Sequence, residues 1–138
     1  MRSLIYDTKI AIVVRNDLQP WQKLNITAFL MSGISATQDI VGEPYIDRDG
    51  KKYLPISKQP ILIFAANREE IREVFEKTLN KEIEMSIYTE EMLNSCSEQE
   101  SMAKIATFKT DQLNIIGIGM RGKRNPVDRI LKNLKLHS

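Results

Sequence analysis

The sequence is poor in the residues that carry most enzyme chemistry: one cysteine, one histidine and one tryptophan occur in 138 residues. A lone Cys96 excludes an internal disulfide, and a chain without bridges is expected in a reducing compartment, here the cytoplasm. Cys96 lies among Asn94, Ser95 and Ser97 with no basic neighbour, so it reads as an inert thiol. His137 is the penultimate residue, where mobility is expected, so neither a Ser-His-Asp nor a Cys-His unit can be assembled around it. No His, Cys and carboxylate spacing resembles a zinc site, and neither a metal nor a cofactor is expected. The chain has no apolar run of bilayer length, and Asp7, Thr8 and Lys9 interrupt the opening before an export signal can form. No membrane partner is expected. Tyr45, Tyr53 and the other aromatics are too scattered for a nucleic-acid stacking platform. The net charge of +2 is too small to indicate a polyanionic partner, so any electrostatic argument rests on where charges cluster.

What remains is an ordinary globular balance, 42% hydrophobic and 28% charged, of a length that fits one domain over residues 1–138. Ile10-Ala-Ile-Val-Val14 reads as a central strand covered on both faces. Pro20 suits a first helical turn, and Trp21, Leu24, Ala28 and Met31 follow at helical spacing. With Ile26, Leu30 and Ile34 widening the apolar arc, the pattern predicts a heavily buried helix ending near Gly33.

Residues 40–46 and 51–56 predict a hairpin of edge character, because Pro44 and Pro55 donate no ladder bonds and Asp49-Gly50 favours a tight turn. Lys51 at a ligand position and the lack of a closing glutamate turn the aspartates here away from a calcium loop. Ile61 to Ala66 predicts a second core strand, followed by a helix that Asn67 and Glu70 begin as a capping box. A strand is expected over 83–88, short helical turns after Thr89 and Ser97, a strand over 113–119, and a last helix opened by Asn125-Pro126 with Val127, Ile130, Leu131 and Leu134 on one face. This order implies an α/β fold, three-layer α/β/α, with a mixed sheet and helices on both faces.

Two groups could carry chemistry. Arg15, Asp17 and Lys23 fall at the carboxyl end of the first strand, where α/β proteins usually place their sites. Thr89 and Glu90 end another strand and are expected to converge with Lys23 and Asp17 on one cleft; a lysine there can stabilise charge or, if desolvated, carry a proton. The bland alternative is that Asp17 helps to cap the helix and pairs with Arg15. The second group is Gly117-Ile-Gly-Met-Arg-Gly122, which matches G-x-G-x-x-G between a strand and a helix. Too few residues follow for the second strand of a dinucleotide fold, but glycines next to a helix N-terminus still suit an anion. Arg121, Lys123 and Arg124 add positive charge there, as a phosphate-binding surface would, while Lys132 and Lys135 also fit a solvated helix end.

Val13-Val-Arg-Asn-Asp-Leu18, Ile116-Gly-Ile-Gly119, Val127-Asp128 and Leu134-Lys-Leu136 resemble the opening and closing segments of the type-two peptidyl-tRNA hydrolase fold. Trp21-Gln-Lys-Leu-Asn25, Val41-Gly-Glu-Pro-Tyr45 and Arg121-Gly-Lys-Arg-Asn125 are similar to the uncharacterised domain-of-unknown-function family numbered two thousand, over almost the whole chain. The resemblance implies a small α/β/α domain, often a homodimer. It would give Lys23 a catalytic role with a one-residue offset, whereas Tyr88-Thr-Glu-Glu-Met92 stands where the hydrolases carry Asp-Ala-Gly-Arg-Thr. Two readings follow. In one, a hydrolase acts on an anionic or nucleotide-bearing substrate, with Lys23 stabilising negative charge, Asp17 or Glu90 orienting a water, Thr89 beside them, and Arg15, Asn25, Gly117, Gly119, Arg121, Lys123 and Arg124 binding the ligand. In the other, a non-catalytic domain binds an anionic small molecule or a tRNA-like ligand.

Overall fold

The computed structural model describes residues 6–138; the opening residues, on which the expectation of no export signal largely rests, lie outside them. Strand β1 (Thr8–Arg15) is the middle of a five-stranded mixed sheet ordered β5-β6-β1-β4-β7. Its parallel neighbour is β4 (Ile61–Ala66), with Arg15 opposite Ala66. On its other side β6 (Ile115–Lys123) runs antiparallel, with Thr8 opposite Lys123. The edge strand β5 (Met85–Thr89) pairs antiparallel with β6, and the two-residue β7 (Lys135–Leu136) pairs antiparallel with β4. The carboxyl ends of β1, β4 and β5 therefore share one end of the sheet, with the start of β6.

Alternation along β1 divides the core into two layers. Ala11 and Val13 pack with α2 (Arg68–Asn80) and α5 (Arg124–Leu131), whereas Ile12 and Val14 pack with α1 (Pro20–Thr37). The helix α1 starts at Pro20 as expected, with Gln22 Oε1 accepting from the Gln19 N–H at 3.0 Å. It runs past Gly33 to Thr37: Gly33 keeps helical backbone, and a Cβ there would make ordinary contact with the Ser86 Cβ at 3.7 Å. Nor is it heavily buried. Ile26, Leu30 and Ile34 make one buried line, while Trp21 and Leu24 are 63% and 74% exposed. A helix apolar on all sides carries no periodic signal for which side meets the sheet.

Asn67 and Glu70 form the expected reciprocal cap of α2, each bond 2.8 Å long. Thr89 precedes the short α3 (Glu90–Leu93), and the Ser97 hydroxyl accepts from Glu100 N to begin α4 (Glu98–Ile105). The hairpin shrinks to β2 (Tyr45–Ile46) and β3 (Lys52–Tyr53), turned through Gly50 at a φ of 84°. Asp47 holds that turn: Oδ1 accepts from the Asp49 and Lys51 amides and Oδ2 from the Tyr53 hydroxyl, which depresses the Asp47 pKa. The last helix departs from its pattern at both ends. It begins at Arg124, with Lys123 and not Asn125 preceding it, and stops at Leu131. Leu134 lies beyond it, in a turn that brings Lys135 and Leu136 onto the edge of β4.

Candidate functional site

Arg15 is the charged residue most enclosed at the shared strand end, only 6% exposed. Its guanidinium takes Asp17 bidentately, Nε to Oδ1 at 2.9 Å and Nη2 to Oδ2 at 2.8 Å, and Nη1 donates to Glu90 Oε1 at 2.8 Å. The fork geometry of arginine fits this arrangement, which a lysine could not satisfy. Hydrogen bonding to Asp17 foremost, and to Glu90, holds Arg15 protonated well above its ordinary range, against the opposing effect of burial. The same bonds hold the Asp17 carboxyl below its usual value. Both expected carboxylates are thus brought to Arg15.

Lys23 does not join them. Its Nζ donates to His137 Nε2 at 3.3 Å, while His137 Nδ1 lies 2.8 Å from the Ser138 oxygen and the His137 amide donates to Ile63 O. The histidine expected to be mobile is therefore tied to the sheet on the α1 side. Thr89 is fully buried and its Oγ1 has no hydrogen-bond partner among the described residues. Asn25 is exposed on α1, away from the Arg15 contacts.

The glycine group takes another place than its pattern implied. Gly117 and Gly119 lie inside β6, as the strand expected over 113–119 has them, but β6 runs from Ile115 to Lys123, so Gly122 is in the strand too and no glycine loop precedes α5. A Cβ on Gly117 would stand 2.7 Å from Ile26 Cγ2, and one on Gly119 would stand 2.6 Å from Ser86 Oγ. Their observed contribution is to let α1 lie close on the sheet. Arg121 donates to Gln59 Oε1 at 3.2 Å and Gln38 Oε1 at 3.0 Å, and Arg124 Nε donates to Tyr6 O at 3.0 Å. Lys123 pairs with Thr8, at the opposite end of β1 from Arg15. Seven strand steps of 3.3 Å separate those ends by about 23 Å. The two groups do not form one cleft.

Sequence reasoning missed Arg68, Arg72 and Asn114. With Arg15, Glu69, Ile71 and Ile115 they line a cleft of about 240 Å³ between the strand end and α2. Arg68 Nη2 lies 3.7 Å from Glu90 Oε1. Arg72 donates through Nη2 to Leu113 O, and its Nη1 is buried without a hydrogen-bond partner among the described residues. The available signal was the four-residue spacing of Arg68 and Arg72 directly after the Asn67 cap, which puts both on one helix face. Among the described residues no three His, Cys, Asp or Glu side chains gather as a metal site, and no helix is long and apolar enough to cross a membrane.

The family model described as protein of unknown function, DUF2000, matches residues 8–138. The chain belongs to this family. It is also similar to the solved structure of a protein of unknown function from Agrobacterium tumefaciens strain C58, at 42% identity and a TM-score of 0.92, covering 97% of this chain and 100% of that one. No protein of curated function matches the chain. Within the family, the Arg15 cluster and the cleft beside it are features that this chain's own geometry presents.

Proposed function

We propose that this family member is a non-catalytic binding domain that takes a small anion, a carboxylate or phosphate, in the cleft framed by Arg15, Arg68 and Arg72. The observation that carries the reading is the convergence of Arg15, Arg68 and Arg72 on one cleft, with Glu69 the acidic residue of its lining, and with the Nη1 of Arg72 buried without a hydrogen-bond partner among the described residues. Like charges four residues apart on a helix repel. An anion in the cleft relieves that repulsion and meets the positive end of α2. Arg15 is already neutralised by Asp17 and Glu90 and Arg68 shares Glu90 at 3.7 Å, so both frame the site and the ligand charge falls chiefly to Arg72.

A hydrolase like the type-two peptidyl-tRNA enzymes is the competing reading. The Arg-Asn-Asp-Leu turn after β1 and the mixed sheet speak for a related fold, but the chemistry needs Lys23 beside Asp17 or Glu90, and Lys23 is engaged with His137. Inorganic phosphate titrated into the wild-type protein and Arg72→Gln tests the proposal, with saturable binding expected only in the wild type. Turnover of peptidyl-tRNA or simple esters that disappears in Lys23→Ala would establish the hydrolase instead. Binding of tRNA that weakens with salt and in Arg121→Ala/Arg124→Ala would move the ligand to the far end of the sheet. A homodimer, in this reading, forms through the exposed α1 ridge of Trp21 and Leu24, whose apolar character favours a covered helix face.

A further inference from the structure

A second cavity, of about 670 Å³, runs along the edge strand β5 between α1 and α4. Phe29, Tyr88, Met92, Cys96, Met102 and Ile105 form much of its wall. Its volume falls within the range of about 300–1,000 Å³ usual for small-molecule sites. Phe29 and Tyr88 meet across its floor with ring centroids 5.7 Å apart at 40°, and Met92 and Met102 supply adaptable thioethers.

Three of the four serine hydroxyls of this groove are engaged, Ser101 being the fourth. The Ser86 hydroxyl donates to Leu30 O at 2.9 Å, Ser95 donates to Glu91 O at 3.1 Å, and Ser97 caps α4. The Tyr88 hydroxyl forms no hydrogen bond among the described residues, and burial pushes its pKa up, so it stays a neutral donor. Glu98 is the one ionisable carboxylate on the wall, and no lysine or arginine lines it. Anions therefore find repulsion and no cation. A cation would find one carboxylate in a chiefly apolar wall.

We propose that this groove binds a neutral, largely apolar small molecule, a ring system or acyl chain that accepts one hydrogen bond from Tyr88. This site is independent of the anion cleft: it runs along the edge strand β5 between α1 and α4, whereas the cleft lies between the strand end and α2, and it takes the opposite class of ligand. Cys96 at the wall serves as its reporter.

The test uses Nile red, a neutral apolar dye with a carbonyl acceptor. The full chain is expected to bind it saturably at one site and to alkylate more slowly at Cys96 with N-ethylmaleimide when the dye is bound. Met102→Glu, which places a charge on an exposed α4 position, should weaken binding by about tenfold or more. Arg48→Ala, in the exposed hairpin turn and off the wall, should leave it unchanged. Absence of saturation, or equal affinity in Met102→Glu, overturns the proposal. So does a wild-type dimer, measured by light scattering, in which Cys96 is protected and the dye excluded, because the groove would then be closed by a second copy.

Discussion

Lys23 Nζ lies 3.3 Å from His137 Nε2, whereas Arg15, eight positions earlier, spends its guanidinium on Asp17 and Glu90. The two cations that a linear reading places together are separated by the sheet: Arg15 shares a cleft with α2 residues, and Lys23 rises with α1 on the opposite layer. This separation divides a single expected site into an ion-pair cluster, a lysine-histidine contact and a neighbouring arginine cleft.

Lys23→Ala is expected to leave the fold nearly untouched. Its contact with His137 is exposed, and exposed contacts of this kind change unfolding free energy by less than about 0.5 kcal/mol. Urea unfolding measures this, and phosphate affinity should be unchanged as well.

Arg15→Met should do far more. It leaves the Asp17 and Glu90 carboxylates facing each other without their shared donor, and hydrogen bonds to charged groups contribute about 1.5–3 kcal/mol. A stability loss of about 2–3 kcal/mol is expected in denaturant unfolding, less than a fully enclosed pair would lose because both carboxylates are partly exposed.

Asp17 sets an acid limit. Its folded pKa is lowered by Arg15, so the folded state is favoured while Asp17 is ionised. That contribution is present above the unfolded carboxylate value of about 3.9 and is lost as pH falls through the lower folded value. Thermal unfolding of the wild type should therefore fall more steeply below about pH 4 than that of Asp17→Asn. Parallel curves would show that the pair contributes no pH dependence.

Gly117→Ala and Gly119→Ala should each destabilise by about 1–3 kcal/mol, the usual result of overpacking a filled core. The added methyl meets Ile26 at 2.7 Å in one case and the Ser86 hydroxyl at 2.6 Å in the other, where that hydroxyl already bonds Leu30 O. Denaturant midpoints report the loss; unchanged stability together with weakened anion binding would restore a ligand role to these glycines.

Much of the architecture was legible because local signals agreed with the fold. The β-branched run of β1, the Asn67-Glu70 cap and the Ser97 cap all stand where their chemistry predicts. The last helix shows the limit: Val127, Ile130, Leu131 and Leu134 fit one stripe, yet the chain leaves the helix after Leu131 to cover β4. Pattern alone cannot register that tertiary demand. The strand through Gly117 and Gly119 was legible, but their purpose was not, since a two-residue spacing suits a phosphate loop and one face of a strand equally and only the packing of α1 distinguishes them. Arg15, Asp17 and Glu90 were found because strand ends point to sites, but Arg68 and Arg72 enter only through the packing of α2.

The most direct measurement is an NMR titration of backbone amides with inorganic phosphate, run on the wild type and Arg72→Gln. Saturating shifts at Arg68, Glu69, Asn114 and Ile115, absent in Arg72→Gln, are the predicted result. No saturation in the wild type, or the same shifts in both proteins, would contradict an anion site at the Arg15, Arg68 and Arg72 cleft.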